Sequence, residues 1–164
     1  MASFVRYIDR TRDYYLAEGY KEPYRWAQFE DVPFTPLKKP LAESRVVLIS
    51  TSEISQRGVE SDTGDDMQSG GGVYTIDADV PAEELYSPTD SYDKYATTLD
   101  DIGAFYPTVA LHEAVKAGRI GSLTKRFHGV FNAYSQRRTR ERDVVEALRR
   151  CREDGADVAV LTPV

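Results

Sequence analysis

The strongest constraint in the chain is a short apolar run near its end, Val158-Ala159-Val160-Leu161. It follows an amphipathic stretch and Gly155, an order that reads as a fully buried strand of a parallel sheet fed by a crossover helix. A second run, Arg45-Val46-Val47-Leu48-Ile49-Ser50, has the same character. The two are expected to be near neighbours, and parallel neighbours need helical crossovers between them. The expected fold class is therefore α/β: a small, mainly parallel sheet flanked by helices in a Rossmann-like, three-layer arrangement. In open sheets of this kind, ligands sit beyond the carboxyl ends of the strands. Those ends are Ser50-Thr51-Ser52 and Leu161-Thr162-Pro163.

A chain of 164 residues is long enough for one independent core. Residues 42–164 carry the α/β pattern, and 1–41 read as an N-terminal amphipathic helix followed by an arm rich in Pro and aromatic residues. The net charge of −6 disfavours nucleic-acid and anionic-membrane partners, which need positive surface. No apolar run approaches the length of a membrane span, and the N-terminus turns charged too early for a signal peptide. A cytoplasmic location is the resulting expectation. The single Cys, Cys151, excludes an internal disulfide and a Cys-based zinc cluster.

Taken in order, Ser3 to Glu18 has Phe4, Tyr7, Ile8, Thr11, Tyr14 and Tyr15 at helical spacing, with Ser3 as a plausible N-cap. Its Tyr stripe fits packing on the domain or docking of a partner subunit. Pro23, Pro33, Pro36 and Pro40 keep the next segment extended. Glu53 to Gly72 is poor in apolar residues, and Ser69-Gly70-Gly71-Gly72 fits a mobile lid better than a phosphate cradle, since no P-loop or dinucleotide pattern is present. Val73 to Ile76 alternates as a short strand would, and a turn of helix is expected near Ala82 to Leu85. A helix opens at Pro107 and ends at Gly118. Gln136 to Glu153 is the strongest helix, with Val144, Val145, Leu148 and Cys151 as its buried stripe. That stretch holds seven Arg, whereas Glu53 to Asp101 holds thirteen acids against Arg57 and Lys94. The Arg face fits a solvated, ion-paired surface or docking onto the acidic region, in the same chain or in a second subunit.

Four residues are candidates for binding a small-molecule substrate: Thr51, Ser52, His128 and Thr162. The hydroxyls at strand ends suit ligand contacts, although turn chemistry explains them equally well. His128 could act as an acid or base, or it could be a hydrogen-bonded packing residue among aromatics. His112-Glu113-Ala114-Val115-Lys116 lacks the second His of a zinc-protease helix, and two His in the whole chain argue against a metal site. Cys151 falls on an apolar stripe and reads as an inert core thiol.

Three stretches together resemble the glycine/sarcosine/betaine reductase selenoprotein B family, which includes D-proline reductase-like short relatives. They are Arg45 to Thr51; Tyr106-Pro107 with Leu111 to Val115, Gly118 and Ile120-Gly121-Ser122-Leu123; and Leu148 with Asp154-Gly155-Ala156-Asp157 and Val160-Leu161-Thr162-Pro163-Val164. The resemblance covers most of 42–164 and implies thiol- or selenol-dependent reductive cleavage of an amino-acid or amine substrate. In that family the strand is followed at once by a Cys or selenocysteine, a low-pKa nucleophile suited to the chemistry. The resemblance therefore implies no cofactor within these 164 residues and a selenocysteine or Cys thiol just after Val164. A strand of this kind without a following helix is an incomplete βα unit. The corresponding expectations are a fragment, a reading frame closed at a UGA codon, or a relative that has lost the motif. The alternative reading is a non-catalytic binding or assembly module. Either way the chain is expected in a homo- or hetero-oligomer.

Overall fold

The computed structural model describes residues 6–23, 28–59, 72–89, 92, 94–131 and 135–163. The chain divides into two compact units, Met1–Pro36 and Leu37–Val164. In the first, helix α1 (Tyr7–Ala17) carries no buried residue. Tyr15 packs edge-on against both Tyr14 and Tyr20, with ring centroids 5.8 and 5.1 Å apart. The expected N-cap, Ser3, lies outside the described residues.

The second unit is built around strand β1 (Arg45–Ser50). On one edge β1 pairs in parallel with β5 (Ser122–Leu123) and then with β6 (Arg126–Phe131). On its other edge it pairs in parallel with β7 (Val158–Thr162), from Val46 opposite Val158 to Ser50 opposite Thr162. Strand β3 (Gly72–Asp77) adds antiparallel to β6. The sheet is thus mainly parallel, and helices flank it. Two short strands, β2 (Ser55–Gln56) and β4 (Leu85–Tyr86), form a separate antiparallel pair.

Register assigns the side chains to faces, because they alternate along each strand. Tyr74, Ile76, Phe127 and Gly129 share one face with Leu48 and Ser50. That face packs on the segment leading into α2 (Thr108–Lys116), with Tyr106 edge-on to Phe127 at 6.3 Å. Ile49, His128, Thr75 and Leu161 share the opposite face. The long helix lies over it. It comprises α3 (Gln136–Arg138), a π-helical turn (Thr139–Asp143) and α4 (Val144–Glu153). Ser135 caps α3 through its side-chain oxygen, which accepts from the Arg138 amide. Gly118 and Gly155, at φ 68° and 67°, let the chain leave α2 and α4 in a conformation other residues enter at a cost. Asp157 then fixes the start of β7 against β1. Its carboxylate accepts from the Arg45 amide at 2.7 Å and pairs with Lys39 at 2.7 Å, contacts that lower its pKa in that order.

Two expectations need correction. Strand β7 is not a fully buried central strand: among the described residues it pairs only with β1, and Ala159 and Leu161 are exposed. The buried stripe of the last helix is also displaced. Cys151 is buried as expected, but its companion is Ala147, whereas Val144, Val145 and Leu148 face outward. An apolar run reports affinity for a nonpolar surface and does not say whether the same chain supplies it.

Candidate functional site

The carboxyl ends of β1 and β7 come together, and with them three of the four expected binding residues. The Thr51 amide donates to the Thr162 carbonyl at 3.2 Å. The buried Ser50 hydroxyl lies 2.6 Å from that of Ser52, 3.1 Å from the Phe105 carbonyl and 3.3 Å from the Thr162 carbonyl. It also accepts from the Ser52 amide at 3.2 Å. Tyr74 reaches across from β3 to hold this turn: its hydroxyl donates to the Ser52 carbonyl and accepts from the Ile54 amide. Burial raises the Tyr74 pKa well above its ordinary value, so the phenol stays protonated and keeps donating. Ser50 and Ser52 thus already satisfy one another, while Thr51 is exposed. The Thr162 hydroxyl is buried without a hydrogen-bond partner among the described residues.

His128 is not part of this crevice. It pairs with Ile49, one residue before Ser50, so its ring emerges on the other face, where it is fully buried. There it belongs to a polar network that sequence reasoning missed. Arg150 donates to the Thr75 hydroxyl at 2.7 Å, and that hydroxyl lies 3.1 Å from His128 Nδ1. His128 Nε2 lies 3.0 Å from the Asp154 carboxylate, which Arg126 Nε also contacts at 2.9 and 3.1 Å. The acceptor dictates the tautomer. The Asp154 carboxylate can only accept, so the proton of the neutral ring sits on Nε2, and Nδ1 is left to accept from the Thr75 hydroxyl, which itself accepts from Arg150. Burial lowers the His128 pKa, Asp154 partly opposes this, and Arg126 and Arg150 reinforce it. The imidazole is neutral at neutral pH. Asp154 was recoverable in principle: it precedes the terminating Gly155, and helical spacing places it beside Arg150.

Two open clefts lie elsewhere. One, of about 540 Å³, is lined by residues including Arg45, His112, Lys125 and Asp154. The other, of about 480 Å³, is lined by Arg57, Tyr86, Tyr92, Asp100 and Ile102 among others. Arg57 lies over the Tyr86 ring at 5.1 Å. Neither cleft is lined by Thr51, Ser52, His128 or Thr162.

Cys151 is buried, and burial followed by the nearby Asp154 raises its thiol pKa. The folded protein is expected to react with an aromatic disulfide reagent at least roughly tenfold more slowly than the urea-unfolded chain. Equal rates would place Cys151 at the surface. Among the described residues no group of three or more His, Cys, Asp or Glu is placed to hold a metal ion, and no helix is long and apolar enough to cross a membrane. No protein-family model, curated protein or solved structure matches the chain.

Proposed function

We propose that this chain supplies the α/β scaffold and substrate cleft of a reductase of the selenoprotein B kind, with a Rossmann-like layering. In the reaction, two thiols, or a thiol and a selenol, lose two electrons and two protons. The C–N bond of an amino-acid or amine substrate becomes C–H, and the nitrogen leaves as the amine. The redox residue stands just after Val164, outside the 164 residues. The observation that carries the reading is the full-length parallel pairing of β7 with β1, which aims the chain beyond Thr162 past the Thr51–Ser52 turn. The cleft at Arg57, Tyr86 and Asp100 supports it further. A guanidinium, a carboxylate and aromatic walls match the two charges of a small zwitterion. This cleft connects with the strand-end turn through the chain itself, since Ile102 lines it and the Phe105 carbonyl meets Ser50.

The test is an intact-mass measurement on protein from its native host, with the codons after Val164 read alongside. A mass well above 18.5 kDa, with UGA or a Cys codon next, is expected. A native mass of 18.5 kDa removes the reading. Thiol-dependent reductive activity in the pure 164-residue protein would overturn the placement of the redox residue. The second reading, a non-catalytic assembly module, is favoured by the outward-facing apolar residues of α4 and β7.

A further inference from the structure

We infer that α4 and β7 form a two-fold interface with a second copy of this chain, an inference independent of the reductase reading. The helix crosses the sheet in a defined order. Arg150 reaches Thr75 on β3, Asp154 reaches His128 on β6, and Cys151 packs in one cluster with Val47 of β1. Continuing round the helix past Cys151 come Leu148 and Val144, then Val145, which therefore overhang β7. On the strand beneath, Leu161 projects from the same face. These four residues are 47%, 51%, 59% and 68% exposed, respectively. Beside them runs the backbone edge of β7, which pairs with no strand on that side among the described residues and invites a further one.

The charges identify the occupant. The stripe reads Glu141, Val144 and Val145, Leu148, Arg152 at three- and four-residue steps, so it lies on one flank. Glu141 and Arg152 take part in no ion pair among the described residues. Glu146, Arg149, Arg150 and Glu153, by contrast, pair within their own helix. The stripe is acidic at one end, apolar in the middle and basic at the other. A two-fold axis midway between Glu141 and Arg152 makes the helices antiparallel. It sets each Glu141 against the partner's Arg152, and each Val145 against the partner's Leu148. Each charge then lies about 8 Å along the helix from the axis, at the 1.5 Å rise per residue. The same axis, passing through the sheet, brings the two β7 edges side by side in antiparallel sense. Such a patch complements itself, as a closed dimer requires.

Sedimentation equilibrium of the 164-residue protein at micromolar concentration is expected to give twice 18.5 kDa. Leu148→Glu, at an exposed position, should give a monomer with an unchanged far-ultraviolet dichroism spectrum. Glu141→Arg alone should raise the dimer dissociation constant roughly tenfold, because two pairs are reversed per dimer. Arg152→Glu alone should do the same, and the double variant should return to the wild-type value. A monomeric wild type overturns the inference, including one whose face is taken by a different protein. So does a dimer indifferent to Leu148→Glu, or a double variant weaker than both singles.

Discussion

Replacing Gly129 with Ala is expected to cost about 3 kcal/mol, the upper range for overpacking a core. Gly129 and Tyr74 face one another across β3 and β6, and a Cβ on Gly129 would lie only 1.8 Å from Tyr74 Cζ and 2.3 Å from its hydroxyl oxygen. The ring cannot step aside cheaply. Its hydroxyl bridges the Ser52 carbonyl and the Ile54 amide, so moving it strips both from the turn after β1. Urea unfolding of two variants and their combination tests this. Tyr74→Ala alone should lose about 4 kcal/mol, as large aromatic truncations do. Adding Gly129→Ala to it should cost less than about 1 kcal/mol, because the clash is gone. Additive losses would show that the glycine is needed for something other than room for the ring. The same contact links stability to the site, since the Thr51–Ser52 turn is held from β3 by this one phenol.

The sheet was largely legible because its strands are chemically extreme. Arg45–Ser50 and Val158–Leu161 are apolar enough that only a sheet interior or an interface suits them, and they do pair. The edge position of β7 was not legible, because Val158 to Leu161 would read the same in the middle of a sheet. The error on α4 has the same root. Val144, Val145 and Leu148 satisfy helical periodicity as well as Ala147 and Cys151 do, and larger side chains outvoted a smaller one. The π-helical turn Thr139–Asp143 changes the angular step just ahead of α4, and nothing in Thr-Arg-Glu-Arg-Asp announces it. At the site, Thr51, Ser52 and Thr162 meet because strand ends meet. His128 joins the candidates through its acid–base chemistry, without an assigned strand. The period of two along β6 sends it through to the other face.

That face carries the other large expected effect. Asp154→Ala should destabilise the protein by roughly 3 kcal/mol, since it strands a buried imidazole N–H and deprives Arg126 of its carboxylate. His128 adds a pH signature whose sign follows from its surroundings. Its native pKa is lowered from 6.5, with burial the leading cause. Below about pH 6.5 the unfolded chain therefore takes up a proton that the native state refuses. Stability is fully present above that pH and falls as the medium is acidified, by up to about 1.4 kcal/mol per unit until the native ring titrates. His128→Gln has no such proton to refuse. Chemical denaturation between pH 7 and pH 5 should show the wild type losing stability over that range and the variant losing distinctly less. Parallel pH profiles for the two proteins would mean that His128 takes up its proton alike in the native and unfolded chains, and a variant losing more than the wild type would mean a native imidazolium, with the Arg150–Thr75–His128–Asp154 chain redrawn around it.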